Sequence, residues 1–341
     1  MAEGPVLDAV CFLGGRVPAI ELAAAAAGAR IVHGIAHARF SSIVVVDLGS
    51  TRDSRRAGAD VAAARAVAPR DSFILLWNIC ADSAASLRHS AFVEGANMVS
   101  GDGSAVETVF RQILGMSRRG TLVCPFCDRQ GLTEDDLWKH CPLFHVYQPN
   151  RTMQCPCCQE VCTMPRVPFP VHLRNEHGPC ARGEVAKETS TGIFGIVLCR
   201  RRNGHVLLVQ EFAGLGFWTP GGQVDPGESL CAAVARECEE EAGVAVTLTG
   251  IVDINVRSLS GGRLWRRVVF VGEPQDENAC PKSIPDFESA GAVWADPMEL
   301  EQLPLRGDEP LTYYRMLQKG VQVMPLQIPP EFQEVFADVP F

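Results

Sequence analysis

The chain has 341 residues and a net charge of −9, and 47% of its residues are apolar against 21% charged, which excludes wholesale disorder and a fibrous repeat. At about 150 residues per domain, this length predicts two or three domains. The acidic balance disfavours a broad basic surface for duplex nucleic acid and leaves only a local basic patch open.

Residues 1–118 alternate apolar runs with alanine-rich stretches of helical character. The apolar runs predict strands at 6–13, 30–34, 42–47, 72–79 and 96–99. Helical patterns lie at about 17–28, 54–68, 83–95 and 104–117, and the connection between 34 and 42 is too short for a full helix. Continuous apolar runs are typical of strands covered on both faces, so we expect an α/β domain with a parallel sheet and helices on both sides.

This first segment resembles the receiver domain of response regulators, which has a flavodoxin-like fold. In that family an aspartate at the end of the third strand accepts a phosphoryl group, and Asp47 in IVVVDLGS stands at the matching position. The resemblance is degenerate, because FLGG replaces the acids expected after the first strand and no lysine follows the fifth strand in SGDGS. A Mg²⁺ site at Asp47 would therefore lack ligands. Capping of a strand end or turn by Asp47 is favoured over its phosphorylation.

Cysteine and histidine dominate residues 119–189, where many of the chain's 14 cysteines lie beside four of its eight histidines. This crowding indicates metal sites in a compartment that keeps thiols reduced, rather than a disulfide scaffold. The residues form an internal repeat of two cysteines followed by two histidines. The first copy is Cys124, Cys127, His140 and His145, and the second is Cys155, Cys158, His172 and His177. A closed tetrahedral site takes four such N/S ligands, so the repeat predicts two structural Zn²⁺ sites.

The repeat resembles tandem zinc fingers of the Cys2His2 type. The positions that would read bases are Thr133, Asp136 and Lys139 in the first finger and Pro165, Pro168 and Val171 in the second. Proline and valine side chains offer no hydrogen bonds to base edges, and acidic residues near the helix start repel phosphate. We therefore expect a structural or protein-binding role, with sequence-specific duplex DNA disfavoured and RNA left open. Cys157 or Cys162 could replace a ligand in the second finger.

Residues 190–341 form the third predicted segment. Two strands are expected on either side of Asn203-Gly204, a strong hairpin signal, and a helix over 228–242 follows. Two β-rich stretches and the strand AGAVWAD come next, then a short helix near Pro297–Leu303 and a proline-rich tail expected to be irregular and on the surface. These elements predict a mixed sheet with helices packed on it.

Glu237, Glu240 and Glu241 are spaced so that they share one face of the predicted helix. Like charges at this spacing destabilise a helix, and a divalent cation would relieve the repulsion. Carboxylate oxygens suit Mg²⁺ or Mn²⁺, which are commonly shared with substrate phosphates. Gly243 is expected to end the helix in the left-handed conformation. The pattern therefore predicts a metal site that takes a phosphorylated ligand.

The stretch from Gly222 to Val244 matches the Nudix box, G-x5-E-x7-R-E-U-x-E-E-x-G-U, with Cys238 as its one departure. The resemblance implies an α/β/α sandwich that hydrolyses a nucleoside diphosphate linked to another group. It implies that the three glutamates bind Mg²⁺ or Mn²⁺ or activate water, that the carbonyl of Gly221 adds a ligand, and that Arg236 pairs with Glu228. In some relatives a later loop supplies a base or a further ligand, and Glu288 stands there, with a solvated loop acid as the alternative.

Several arginines and tryptophans could either contact a substrate or have only a structural role. Arg200, Arg201, Arg266 and Arg267 are candidates to hold phosphates, although solvated strand positions are favoured. Trp218 or Trp265 could stack on a base, although buried core tryptophans are more common.

The sequence thus favours a Nudix pyrophosphohydrolase that acts on a small nucleotide-type substrate. The alternative is a non-catalytic sensor or scaffold that binds nucleotides or RNA with the same fold. The chain shows no uninterrupted apolar run of about 18 residues and no secretory signal at its start, so we expect neither a membrane span nor secretion. An intracellular, cytoplasmic location is predicted, with the nucleus left open.

Overall fold

A computed structural model describes residues 9–49, 53–77, 85–116, 119–163, 168–185, 191–260 and 263–341. By their contacts, the residues divide into two compact units. The first unit is Met1–Lys187 with Phe212–Gly214 and Ser283–Ala290, and the second is Glu188–Glu211, Leu215–Lys282 and Gly291–Phe341. Within the ranges described, no helix combines the length and the apolar character needed to cross a bilayer.

A five-stranded parallel sheet lies at the centre of the first unit. Its strands are β1 (Ala9–Leu13), β2 (Arg30–His33), β3 (Ile43–Asp47), β4 (Phe73–Trp77) and β5 (Met98–Ser100). Their order is β2-β1-β3-β4-β5, which is one of the common doubly wound orders. The predicted parallel sheet is confirmed, while the predicted strand residues 6–8, 78 and 79 lie outside the described ranges.

Helices cover both faces of this sheet. They are α1 (Pro18–Ala26), α2 (Ile35–Ala38), α3 (Ser54–Val67), α4 (Ala85–Val93) and α5 (Gly103–Gly115). Neighbouring residues of β1 enter two different cores, Val10 and Phe12 on one face and Cys11 on the other. This alternation explains the continuous apolar runs, because neither side of the strand meets water. Asp47 ends β3 and accepts a hydrogen bond of 3.1 Å from the amide of Gly49, as a turn-capping residue does.

The rest of the first unit is a small module built from short elements. They are α6 (Glu134–His145), β6 (Met153–Gln154), β7 (Val161–Cys162), α7 (Phe169–His172) and a π-helical turn (Leu173–His177). Residues from both copies of the cysteine–histidine repeat, among them Phe126, Leu137, Phe169 and Leu173, pack into one apolar cluster. The two copies therefore share a single core.

The second unit contains two sheets. Its strands are β8 (Ile193–Cys199), β9 (Val206–Gln210), β10 (Phe217–Trp218), β11 (Gly221–Gln223), β12 (Val246–Ser258), β13 (Leu264–Pro274) and β14 (Gly291–Ala295). One sheet has the order β11-β8-β13-β12 and the other β10-β9-β14. In the four-stranded sheet β8 and β13 run parallel and the other pairs antiparallel, which confirms the predicted mixed sheet.

Two helices accompany these sheets, α8 (Leu230–Ala242) and α9 (Glu309–Gln318). The side chain of Ser229 caps the start of α8, and Gly243 ends the helix at φ 68°, as predicted. Strand β8 carries Gly195 where α8 approaches, because a Cβ there would lie 2.2 Å from the side chain of Val234. This close approach fixes α8 against the sheet.

Two local expectations for the second unit need correction, and one helix, α9, was not predicted. The Asn203-Gly204 turn forms, but β8 and β9 share only the bridge between Arg200 and Val206 and then enter different sheets. A turn signal acts locally, whereas strand partners are selected by the apolar faces that become buried. Residues 297–302 form turns and not a helix, and α9 had no strong periodic signal to predict it.

The carboxyl-terminal tail is largely irregular, as expected, but it does not simply lie on the surface. Phe336 is 3% exposed. The amide of Leu230, the first residue of α8, donates a 2.8 Å hydrogen bond to the carbonyl of Pro340. The tail thus satisfies a backbone donor that a helix start leaves without an intrahelical partner.

Candidate active site and candidate metal centres

Arg236 connects α8 with the loop before it. Its guanidinium donates two hydrogen bonds of 3.0 Å to the carboxylate of Glu228 and one of 3.1 Å to the carbonyl of Gln223. Glu228 is only 19% exposed in its side chain, and it also accepts a hydrogen bond from the amide of Asp225. The pair that the sequence predicted is therefore formed, and it ties the glycine-rich loop to the helix.

The same guanidinium compensates the acidic face of α8. It donates to Glu237 at 3.0 Å and to Glu240 at 2.9 Å. Burial is the largest single influence on Glu228 and favours a raised pKa. The hydrogen bonds from Arg236, the amide of Asp225 and the charge of Arg236 together outweigh burial, so the pKa of this carboxyl lies below its ordinary value of 4.5. The hydrogen bond to Glu228 is also the main reason why the pKa of Arg236 is raised. Glu228 and Arg236 thus form a charged pair at neutral pH.

Two glycines allow the carboxylates to lie against β11. The amide of Gly221 donates a 2.9 Å hydrogen bond to Glu241. At Gly222 a Cβ would lie 2.5 Å from the carboxylate of Glu237, so a larger residue would displace that glutamate. The carboxylates of Glu237 and Glu241 therefore lie beside the two glycines, whereas that of Glu240 is held by Arg236. Among the described residues, these three acids do not form a group whose donor atoms all lie within 4.8 Å of one another.

Glu288 lies in a different setting from these acids. It belongs by its contacts to the first unit. There its carboxylate lies 3.6 Å from the guanidinium of Arg174, and its amide donates to Asp286. A role for Glu288 as base or metal ligand stays a prediction.

Three of the four candidate phosphate-binding arginines are buried and have protein partners. Arg266 is 7% exposed and donates to the carbonyl of Val335 at 2.7 Å. Arg267 is bonded to Glu309 at 2.9 Å, and Arg201 donates to the carbonyl of Ala279 at 2.8 Å. The favoured expectation of solvated strand positions is wrong for these three residues, because each arginine is buried and bonded to protein groups.

The sequence left open whether Trp265 stacks on a base or is a buried core residue. Trp265 on β13 is half-buried, and the guanidinium carbons of Arg257 and Arg267 each lie 5.1 Å from its ring centre. Phe194 lies next to it, with ring centres 5.8 Å apart. The cross-strand pairing of Trp265 with Arg257 creates this stack, and no local motif could have predicted it.

The first cysteine–histidine tetrad converges completely. All four ligand atoms lie within 4.8 Å of one another, and all four residues are buried. Cys124 Sγ lies 3.4 Å from His145 Nε2, and Cys127 Sγ lies 3.3 Å from His140 Nε2. The two Nε2 atoms are 3.1 Å apart. Ligand atoms around a tetrahedral Zn²⁺ are separated by about 3.3–3.8 Å. Both sulfur–nitrogen distances lie in that range and the two nitrogens are slightly closer, so these donors suit the ion.

The state of the histidines agrees with a metal centre. Burial is the main cause that lowers the pKa of His140, and the neutral imidazole is the form that binds a metal. With Nε2 directed at the centre, Nδ1 is left as the outward nitrogen. In the described residues the Nδ1 atoms of His140 and His145 are buried without a hydrogen-bond partner.

The second tetrad also converges, with more exposure. The ligand atoms of Cys155, Cys158, His172 and His177 lie within 4.8 Å of one another, with Cys158 exposed. Cys158 Sγ is 3.4 Å from His172 Nε2. The two histidines are five residues apart, and the π-helical turn over Leu173–His177 suits that spacing because its hydrogen bonds join residues five apart.

Additional thiols surround the second tetrad. Cys157 lies within 4.8 Å of donor atoms of Glu134 and His177. A hydrogen bond from the Cys157 thiol is the largest cause that lowers the pKa of Cys155 from its ordinary value of 9.0. A thiolate at Cys155 is the form that coordinates a metal. The ligand set of this centre therefore has more donors than one ion needs.

The would-be base-reading side chains of the first copy are already used within the protein. Thr133 and Asp136 form a reciprocal capping box at the start of α6. Lys139 forms an ion pair with Asp135. In the second copy Pro168 stands just before α7, and Pro165 lies outside the described residues.

Comparison with known proteins gives matches for the second unit. The sequence profile of the NUDIX domain matches residues 190–317. Human "8-oxo-dGDP phosphatase NUDT18" is 30% identical over 133 residues, which are 36% of this chain and 40% of that protein. The chain therefore spans well under half the length of this relative.

Two bacterial relatives are covered more fully. "CTP pyrophosphohydrolase" of Escherichia coli (strain K12) is 33% identical over 115 residues, which are 30% of this chain and 76% of that protein. "RNA pyrophosphohydrolase" of Erythrobacter litoralis is 31% identical over 128 residues, 31% of this chain and 77% of that protein. A solved NUDIX hydrolase from Nitrosomonas europaea is 21% identical, with a TM-score of 0.34 over 40% of this chain and 94% of its own.

Proposed function

The chain belongs to the Nudix hydrolase family through residues 190–317, and from that premise we propose that it hydrolyses a nucleoside diphosphate linked to another group, with Mg²⁺ or Mn²⁺. The observation that carries the proposal is the arrangement around Arg236. One guanidinium holds the loop through Glu228 and contacts two of the three glutamates on α8. A helix that served only as a solvated acidic surface would not need this connection to a glycine-rich loop.

The glutamates would have different tasks in this reaction. Glu237 and Glu241 lie against the glycines of β11, and we assign them to holding the metal. When bound, the ion polarises phosphoryl oxygens and lowers the pKa of the attacking water. The side chain of Glu240 is 46% exposed, which suits it to accept a proton from water. Arg236 and Glu228 act by keeping the loop and helix in register.

The substrate is to be found by a phosphate-release screen with the full chain and Mg²⁺ or Mn²⁺. The relatives' names add 8-oxo-dGDP, CTP and RNA carrying a 5′ pyrophosphate to a panel of nucleotide sugars, dinucleotides and inositol pyrophosphates. We expect metal-dependent turnover of at least one nucleoside diphosphate derivative. Tight nucleotide or RNA binding without turnover of any compound would instead favour the non-catalytic sensor.

For the cysteine–histidine module, we propose two structural Zn²⁺ ions, one in each tetrad. The support is the convergence of eight ligand atoms in two groups and the match of their separations to a tetrahedral ion. Purified full-length protein is expected to carry about two zinc ions per chain by elemental analysis. A content near zero in protein prepared without chelators would contradict the proposal.

We propose a protein-binding role for this module or for the parallel-sheet domain, rather than the reading of duplex DNA. The capping box of Thr133 and Asp136 supports this, because those side chains are already engaged. Gel-shift measurements with a random duplex library are expected to show no preferred sequence at physiological salt. The domain bounds near residues 118 and 189 and the cytoplasmic location stay predictions, and phosphorylation of Asp47 stays the disfavoured alternative to its capping role.

A further inference from the structure

A carboxylate from the first copy of the repeat contacts a histidine of the second copy. Glu134, the first residue of α6, is hydrogen-bonded to Nδ1 of His177, the last residue of the π-helical turn. Glu134 is not a member of either tetrad. The two residues are separated by 43 positions in the chain, so this contact exists only because the two copies share a core.

The other nitrogen of His177 shows where the ring is directed. Its Nε2 atom is buried and has no hydrogen-bond partner in the ranges that the structure describes. His177 is also a member of the second tetrad. When Nδ1–H donates to a carboxylate, the proton is fixed on that nitrogen and the lone pair on Nε2 is free to bind a metal. The contact therefore selects the tautomer that the centre requires.

The position of Glu134 is itself fixed by the fold. The capping box at Thr133 sets the start of α6 and so the direction of the next side chain. Nearby, Gly178 permits close approach of the two copies, because a Cβ there would lie 2.8 Å from the ring of Trp138. Arg182 lies 3.5 Å from Asp135, but both side chains are largely exposed, so this ion pair contributes little to the contact.

We propose that Glu134 is a positioning residue for the second metal centre, and that the second centre therefore depends on the folding of the first. The inference rests on the proposal that both tetrads bind Zn²⁺. A carboxylate that orients a ligating histidine also raises its basicity, and loss of such a partner typically lowers metal affinity by about 10–100-fold. The dependence is reciprocal, because a coupling free energy between two binding sites changes the affinity of each by the same factor.

The test uses the full chain loaded with zinc and titrated with a competing chelator. Cysteine alkylation followed by peptide mass spectrometry reports each tetrad separately, because a bound metal protects its thiolates. In Glu134→Ala we expect Cys155 and Cys158 to become alkylated at about 10–100-fold lower chelator strength than in the wild type. Cys124 and Cys127 should stay protected as before.

Two matched variants separate positioning from general loss of structure. Glu134→Gln keeps an acceptor oxygen without the charge, so its second centre is expected to have an affinity between those of the wild type and Glu134→Ala. Asp135→Asn changes the neighbouring acid, which pairs with Lys139 and Arg182 instead, and should leave both centres unchanged. Equal loss from both tetrads in Glu134→Ala would show that the residue acts through the folding of α6, and would overturn the positioning role.

The coupling of the two centres is tested with ligand variants. Cys127→Ala should weaken zinc binding at Cys155 and Cys158, and His172→Ala should weaken zinc binding at Cys124 and Cys127 by a similar factor. Unchanged zinc binding at the second tetrad in both Glu134→Ala and Cys127→Ala would overturn the inference and leave the two zinc sites themselves intact. A wild type that holds no zinc would instead remove the proposed centres.

A variant of Cys157 distinguishes a positioning role of Glu134 from a role as metal ligand. Glu134, Cys157 and His177 bring donor atoms within 4.8 Å of one another, so a metal held by that group is the competing arrangement. Cys157→Ser is expected to leave zinc affinity unchanged. A loss as large as that of Glu134→Ala would make Glu134 a ligand and not a positioning residue.

Discussion

The cysteine–histidine module and the glutamate face of α8 both bring side chains of a type that can bind metals close together, and they do so in different ways. The module collects its cysteine and histidine donors from several short segments around a small core. Helix α8 carries its acids on one element, packed against a large sheet and compensated by Arg236. If the proposed ions bind, zinc would stabilise the fold of the module, whereas Mg²⁺ or Mn²⁺ at α8 would serve the reaction of a unit that is already folded around its own apolar core.

The largest expected effect is the response of the two regions to removal of metal. Structural Zn²⁺ supplies an apparent free energy of about 10 kcal/mol or more in zinc-finger peptides, so a strong chelator should unfold much of the 119–185 region. Amide hydrogen exchange should show lost protection in α6 and unchanged protection in α8. Equal loss of protection in both helices would contradict the expectation that only the cysteine–histidine module depends on metal for its structure.

The next effect concerns the apolar core that stabilises the second unit without metal. Phe336 is 3% exposed, and its replacement in Phe336→Ala should lower the free energy of unfolding by about 3–5 kcal/mol. Leu326, in the same tail and 40% exposed, provides the control, and Leu326→Ala should have little effect. Urea denaturation followed by circular dichroism measures both. Similar values for the two variants would show that the tail contributes no buried core.

The third effect is catalytic. Glu241→Gln keeps the shape of the side chain and removes its charge, so we expect kcat to fall about 100-fold or more, which corresponds to about 2.7 kcal/mol. Glu239 is exposed on the same helix, and Glu239→Gln should retain activity close to that of the wild type. Steady-state kinetics on a substrate found by the screen give the comparison. Full activity in Glu241→Gln would exclude this glutamate from the metal site.

The smallest effect is the pH dependence of the Glu228–Arg236 pair. Burial favours a raised pKa for Glu228, but the hydrogen bonds and charge of Arg236 together with the amide of Asp225 lower it below 4.5 in the folded state, so these contacts stabilise the fold above that pH. The contribution should disappear as the pH falls from about 4.5 through the lower folded pKa. Glu228→Gln should therefore be less stable than the wild type at pH 7, and the difference should shrink in acid. Denaturation curves at several pH values give the free energy of unfolding of the wild type minus that of Glu228→Gln. A difference that does not change with pH would show that ionisation of Glu228 contributes nothing to stability.

Chemical motifs were the part of the protein most accessible from sequence. The pairing of Arg236 with Glu228 and the left-handed Gly243 depend on residues close in sequence, and the structure contains both. The two groups of cysteines and histidines also follow from spacing, because a short turn and a helical turn bring their ligands together. Strand positions in the parallel sheet were recognisable because strands buried on both faces are apolar throughout.

Strand partners and hydrogen-bond partners that are distant in sequence were determined only by the tertiary structure. The chain determined a turn at Asn203-Gly204, but burial of apolar faces sent β8 and β9 into different sheets. It determined two metal-binding spacings, but only packing around one core brought Glu134 to His177. The sequence favoured a solvated position for Arg266, but in the structure Arg266 is buried and donates a hydrogen bond to the carbonyl of Val335 in the tail. Local patterns specify which groups a segment carries, whereas the partners of those groups depend on which surfaces exclude water together, and that is a property of the whole fold.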